Sequence, residues 1–193
     1  MQTQNYTTDP RDMDKQMAIG ETGASLIISR YQALGMYATD GKVSDAWVTA
    51  LTVPAELKAD TYDTGNFFGE TQSSIESRTI GGPLRAVRDR IPLYIYYFFK
   101  SGKCYWFDSR TILQYLNIYK AANPQSRVLV PNKRNRSWHT EGYKIPIIGL
   151  APLAIAIHDL NSEIPPADLL PIFKWASINA AQFKQPRHLP KAL

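Results

Sequence analysis

The sequence predicts an α/β fold: a mixed β-sheet flanked by helices, followed by a C-terminal helical extension. Three observations carry that expectation. Up to Lys120 the segments run helix, three strands, strand, helix, hairpin, helix. The turn signals Asp40-Gly41 and Ser101-Gly102 separate runs of β-type residues. Of 193 residues, 44% are apolar and 11% aromatic, enough for one full core, which excludes wholesale disorder. This length suits one domain with an appendage rather than two full domains.

Residues 1–13 are polar, carry a Thr-Thr-Asp-Pro turn signal and read as a loose lead-in. From 14 to 34 the spacing predicts a helix, with Asp12 or Asp14 as its N-cap and Gly35 as its stop. Met17, Ala24, Ile28 and Tyr31 form its apolar stripe. Three strands follow at 36–39, 45–52 and 55–61, with Asp40-Gly41 turning the first pair and Pro54 the second. A further strand spans 66–72, and Gly82-Pro83 opens a helix, with proline in the tolerated first position. Segments 92–99 and 103–107 form a hairpin. Its aromatics at 94–99 run without alternation, as in a strand covered on both faces. A helix at 109–119 comes next. Beyond Lys120 the chain is looser, with a basic stretch at 127–144, a Pro165-Pro166 stop, a helix at 167–183 and a basic tail. The expected division is a lead-in at 1–13, an α/β domain at 14–157 and an extension at 158–193.

The charge balance narrows the partners. Lys and Arg outnumber Asp and Glu by 22 to 17, a net charge of +5 that favours polyanions. The single cysteine, Cys104, excludes an intrachain disulfide framework and a multi-cysteine zinc site, and it reads as a core residue. His139, His158 and His188 show no metal-ligand spacing. The N-terminus has no apolar run and the longest apolar stretch, 145–157, is interrupted by prolines and a glycine. No secretory signal and no membrane span are expected, and a cytoplasmic location follows.

The segment that carries chemistry is Asp45, then Glu56-Leu57-Lys58 on the next strand. Residues two apart on a strand share a face, so Glu56 and Lys58 point together, while Ala55, Leu57 and Ala59 form the apolar opposite face. A hairpin turning near 52–54 brings Asp45 back toward Lys58 or Asp60. Two carboxylates and an ammonium then converge, as metal-assisted phosphodiester hydrolysis needs. An exposed Glu-x-Lys is more often a solvated pair. Two features tell against that here: the apolar opposite face, and Glu21 on the first helix's apolar stripe, where an acid needs a partner.

The helix with Glu21, the strand opening at Asp45 and the strand with Glu56-Leu57-Lys58 together resemble the PD-(D/E)XK nuclease superfamily, the restriction-endonuclease-like fold. Ser44 stands where the family name has proline. Asp60, Gly65-Asn66, Glu70 and Gly81-Gly82-Pro83 resemble its small phage- and plasmid-type nucleases related to Holliday junction resolvases. The resemblance implies Mg²⁺ or Mn²⁺ on Asp45 and Glu56, with the Leu57 carbonyl as a further ligand and Glu21 at a second metal. It also implies Lys58 as the group that orients the water, and products with 5′-phosphate ends. Glu70 and Gln72 would border the site.

Arg78, Arg85 and Arg88, around the helix opened by Pro83, are read as a grip on DNA phosphates. Lys133, Arg134 and Arg136 form a basic run beside Trp138 that suits a nucleic-acid backbone. A solvated basic face explains the arginines equally well, and a short basic run such as 133–136 is often only solubilising. The leading reading is a metal-dependent DNA endonuclease acting on duplex or branched DNA, for which symmetric cutting favours a homodimer. The alternative is a non-catalytic nucleic-acid-binding protein on the same fold, and the plainest is an interaction protein whose aromatic hairpin is ordinary core.

Overall fold

A computed structural model describes residues 21–22, 25–31, 38–40, 46–48, 53–131 and 138–183. For 38–40, 46–48 and 180–183 it describes the backbone alone. The fold is α/β, with strands β1 (Ala38–Asp40), β2 (Ala46–Val48), β3 (Val53–Asp60), β4 (Asn66–Ser74), β5 (Thr79–Ile80), β6 (Leu93–Phe98), β7 (Lys103–Asp108), β8 (Arg127–Pro131), β9 (His139–Pro146) and β10 (Ala156–Asp159). The helices are α1 (25–31), α2 (Gly82–Arg88), α3 (Ser109–Ala122), α4 (Ile147–Leu150) and α5 (Leu170–Phe183). None of the helices among the described residues is long and apolar enough to cross a membrane.

Two sheets form. The larger has the order β1-β2-β3-β6-β7-β10, and the smaller has the order β5-β4-β9-β8. In the larger sheet β3 and β6 are parallel, with Glu56 opposite Tyr94 and Lys58 opposite Tyr96, while its other neighbours are antiparallel. A parallel pair needs a long crossover, and β4, β5 and α2 supply it. Every residue of β6 is buried, as its unbroken apolar and aromatic run predicts.

Alternation along β3 and β6 divides the core in two. Val53, Ala55 and Leu57 pack with Leu93, Ile95 and Tyr97 against Ile27 and Tyr31 of α1 and Ile172 and Ala176 of α5. Tyr94, Tyr96 and Phe98 face the other way, onto Phe67, Ile145, Ala86, Ile112 and Leu116 from the second sheet, α2 and α3. Glu56 and Lys58 alternate with Ala55 and Leu57, so they lie on this second face.

Several boundaries differ from the sequence expectation. Pro54 lies inside β3 rather than in a turn, and the ladder to β6 begins only at Ala55, where no proline N–H is missed. Asp40 pairs with Ala46 and so lies within β1 rather than at the corner of a two-residue Asp-Gly turn. Where it is described, the basic stretch is strand: Val128-Leu129-Val130 is strand-forming sequence, and β8 pairs antiparallel with β9. Helix α3 runs on to Ala122, its start fixed by Asp108, whose carboxylate accepts from the Arg110 and Thr111 amides at 2.8 and 3.1 Å. Helix α5 starts at Leu170, because residues 166–169 close as a 3-10 turn behind Pro165, with the Asp168 amide donating to the Pro165 carbonyl. The boundary expected after residue 157 falls within β10, and Leu169, Ile172 and Ala176 of the C-terminal segment sit in the first core.

Candidate functional site

The second face of β3 carries a buried polar cluster. Glu56 is 1% exposed in the middle of the larger sheet. Isolated in that setting, a carboxylate would carry a desolvation cost of several kcal/mol, of order 5. Arg85 of α2 offsets it with a guanidinium hydrogen-bonded to Glu56 Oε1. Two residues along, Lys58 reaches β4, where its Nζ lies 3.0 Å from Glu70 Oε2. Ser73 donates its hydroxyl to the other Glu70 oxygen at 2.5 Å. Burial pushes the Glu70 carboxyl up, but Lys58, Ser73 and Arg85 together outweigh it and hold the group below its ordinary range.

The glycines before α2 make this cluster possible. A Cβ on Gly81 would lie 2.0 Å from Glu70 Oε1 and 2.6 Å from Ser73 Oγ. At Gly82, with φ of +48°, a Cβ would meet the Glu70 backbone oxygen at 2.6 Å. The two glycines let the start of α2 rest directly on Glu70. They thereby set the depth at which Arg85, one turn later, enters.

The cluster has a polarity. Its carboxylates lie beneath, Glu70 with a side chain 9% exposed. Its cations form the open side, with Lys58 and Arg85 each 37% exposed. An anion approaching from solvent meets an ammonium and a guanidinium backed by compensating charge, the arrangement that suits a phosphodiester.

The structure brings together Glu56, Lys58, Glu70 and Arg85. Glu21 is exposed; the buried face of α1 is Ile27 and Tyr31, with Ile28 only partly buried. The stripe assigned from the sequence is therefore rotated, and Glu21 is not on a buried face. Asp45 lies outside the described residues, as do Lys133, Arg134 and Arg136. Leu57 is buried in the first core, and its strand neighbour on β6 is Ile95. Gln72 pairs across the sheet with Ile80 and Glu141, beyond a bulge that separates it from Glu70. Asp60 accepts from the Tyr96 hydroxyl at 2.9 Å and from the Tyr62 amide at 2.8 Å.

The three arginines do not form one grip. Arg85 turns inward to Glu56, Arg88 pairs with Asp89 through two hydrogen bonds, and Arg78 sits exposed in the β4–β5 turn at φ of +54°. Ser73 was not marked by the sequence reading, and Arg85 was assigned outward. A carboxylate on an inward strand face demands a counter-cation, and Gly81-Gly82 marks a close approach. Those were the available signals.

Among the described residues no group of three His, Cys, Asp or Glu side chains is placed to hold a metal ion. The donors present, Glu56 and Glu70, are hard oxygen ligands of the kind Mg²⁺ and Mn²⁺ take. Cys104 and Tyr31 belong to the opposite core, as does the packing around His158. Comparison of the chain with protein-family models, curated proteins and solved structures finds no match.

Proposed function

We propose that the chain is a metal-dependent DNA endonuclease of the PD-(D/E)XK type, cytoplasmic and acting on duplex or branched DNA. The observation that carries this reading is the pair Glu56 and Lys58. They project from one face of β3 into a polar cluster whose open side is cationic. The antiparallel run β1-β2-β3 and the return through α2 to the parallel strand β6 support it. Asp45 adjoins Ala46 in the chain, and Ala46 pairs with Ala55, the residue before Glu56.

In this mechanism Glu56 and Asp45 are the residues that would hold Mg²⁺ or Mn²⁺ through their carboxylates. When bound, the ion supplies Lewis-acid stabilisation of charge at phosphorus. Lys58, steered by Glu70, donates hydrogen bonds to the attacking water or to a phosphate oxygen. Water attacks in line, leaving a 5′-phosphate and a 3′-hydroxyl, and cutting both strands symmetrically would use a homodimer. Incubating the protein with plasmid and branched oligonucleotides, with Mg²⁺ or Mn²⁺ and a chelator control, tests this directly. Cleavage that persists in chelator, or none on any substrate, overturns it.

One observation favours the second reading, a non-catalytic nucleic-acid-binding protein on the same fold. Glu56 and Glu70 each already have a cation at hydrogen-bond distance. On that reading Lys58 and Arg85 bind phosphate as they stand. DNA binding unaffected by chelator, with no cleavage, would select it.

A further inference from the structure

Phe68 is an aromatic side chain that neither core uses. On β4 it alternates with Phe67 and Gly69, so it shares a face with Glu70 and points away from the second core. Its partner across the ladder is Lys144 of β9, which is exposed. Gly142, next on that face of β9, stands opposite Val128 of β8, and Thr140 stands opposite Val130. Both valines are also outside the two cores, and Val130 is 42% exposed. A Cβ on Gly142 would meet the Phe68 ring, 2.6 Å from Cε2. The ring therefore lies down over β9 in the space that the glycine leaves, and it is only partly buried there.

Cations border the ring on two sides. Lys144 stands directly across from it, and Lys58 reaches the same face at Glu70, two residues and about 7 Å along β4. Glu70 is the one carboxylate on this face of β4, β9 and β8. It is 7% exposed, lies against Gly81 and already holds Lys58 and Ser73. A purely apolar protein partner would cover the two ammoniums without supplying a counter-charge. A nucleic-acid strand with an unpaired base suits all the parts: the ring stacks the base, and the cations take the phosphates beside it.

We propose that the outer face of the smaller sheet binds single-stranded DNA, with an unpaired base stacked on Phe68 and the adjoining phosphates on Lys144 and Lys58. A duplex keeps its bases stacked inside, so this face selects DNA that exposes them, as single strands and branch points do. The inference rests on the nucleic-acid reading above and requires no metal.

The test is fluorescence anisotropy of the full chain with three labelled DNAs of one length: oligothymidine, its fully abasic counterpart and a duplex. Buffer with chelator keeps metal out of the result. The wild type should bind oligothymidine about fivefold or more tighter than the abasic strand, which keeps the phosphates and lacks the bases. Phe68→Leu, which keeps an apolar side chain over Gly142, should lose that margin and bind the two strands alike. Phe68→Tyr keeps the ring and should stay within about threefold of wild type. Lys144→Gln should flatten the slope of log K against log salt by about 0.7 on the single strand. If Phe68→Leu fails to fold, the comparison of oligothymidine with the abasic strand on the wild type and Phe68→Tyr decides alone. Wild-type binding that ignores removal of the bases, or a Phe68→Leu variant that keeps the full margin, overturns the stacking role and leaves the nucleic-acid reading standing. Binding to none of the three DNAs removes both.

Discussion

Lys58 Nζ and Glu70 Oε2 lie 3.0 Å apart, joining the central strand of one sheet to the neighbouring sheet across the open side of the cluster. Glu70 of β4 holds the ammonium. Lys58→Ala should therefore do two separable things. Cleavage should fall about a hundredfold or more through loss of water positioning. Stability should fall by about 1–2 kcal/mol, because Glu70 is left buried without its ion pair, while solvent at Lys58 limits the cost. The double variant Lys58→Ala/Glu70→Gln should recover the stability and not the cleavage. Urea melts and plasmid nicking on the three proteins separate the effects; full activity in Lys58→Ala would remove Lys58 from the chemistry.

Gly81 has φ of −132° and ψ of −179°, extended backbone that any residue adopts, so only contact restricts it. Gly81→Ala should push the Glu70 carboxylate off Lys58 and Ser73, lowering stability by about 1–3 kcal/mol. In a Glu70→Ala background the same substitution should cost much less, since the clashing atoms are gone. Equal costs in both backgrounds would mean that the start of α2 yields instead.

The acid limb of stability should carry Glu70 as well. Its carboxyl is lowered in the folded protein. The unfolded chain therefore binds the proton first as pH falls, so the contribution is present above the ordinary carboxyl range and disappears as pH drops through the folded value. Glu70→Gln should flatten the fall in urea midpoint below about pH 4.5. An unchanged acid limb would show that Lys58 does not pair with Glu70 in solution.

Much of this arrangement was legible in the sequence. Period-two alternation placed Ala55 and Leu57 opposite Glu56 and Lys58, and the unbroken aromatics of 94–98 marked a strand covered on both sides. The missing parts are long-range. The depth of Glu56 depends on β4 and α2 closing over β3, which no local pattern encodes. Arg85 looked outward because three arginines near a helix suggest a basic face, yet the direction of each is set by its partner: Glu56, Asp89 or solvent. Glu21 failed for another reason. Ile27 and Ile28 offer two stripes a residue apart, and packing selected Ile27 with Tyr31. In the stretch at 127–144, counting charges obscured Val128-Leu129-Val130, where strand propensity prevailed.

The basic run tests the DNA reading without any cleavage. Replacing Lys133, Arg134 and Arg136 by Ala should weaken binding similarly across sequences. It should also flatten the slope of log K against log salt by about 0.9 per lost phosphate contact. An unchanged slope would place the phosphate track elsewhere.

A buried network on the opposite face of the sheet gives a pH dependence of its own. Trp106 Nε1 donates to the Tyr31 hydroxyl at 2.7 Å, and that hydroxyl lies 2.7 Å from His158 Nδ1. His158 Nε2 lies 3.1 Å from the Asp168 carbonyl, which can only accept, so Nε2 carries the hydrogen and Nδ1 accepts from Tyr31. Cys104 beside them is pushed up to about 12 by burial and stays a thiol. Burial lowers the His158 pKa more than the Asp168 carbonyl and carboxylate raise it. A depressed folded pKa means that the unfolded chain takes the proton first as pH falls. The contribution of His158 is therefore complete above about pH 6.5 and is lost as pH drops through the folded value. Urea midpoints should fall between about pH 7 and pH 5, and His158→Gln should flatten that limb. Tyr31→Phe should cost about 1–3 kcal/mol for each polar group it orphans, Trp106 Nε1 and His158 Nδ1, at every pH where the imidazole is neutral. A wild-type midpoint that holds steady from pH 7 to pH 5 would mean that His158 gains its proton without penalty. The neutral imidazole would then contribute nothing to docking α1 and the 3-10 turn before α5 on the sheet.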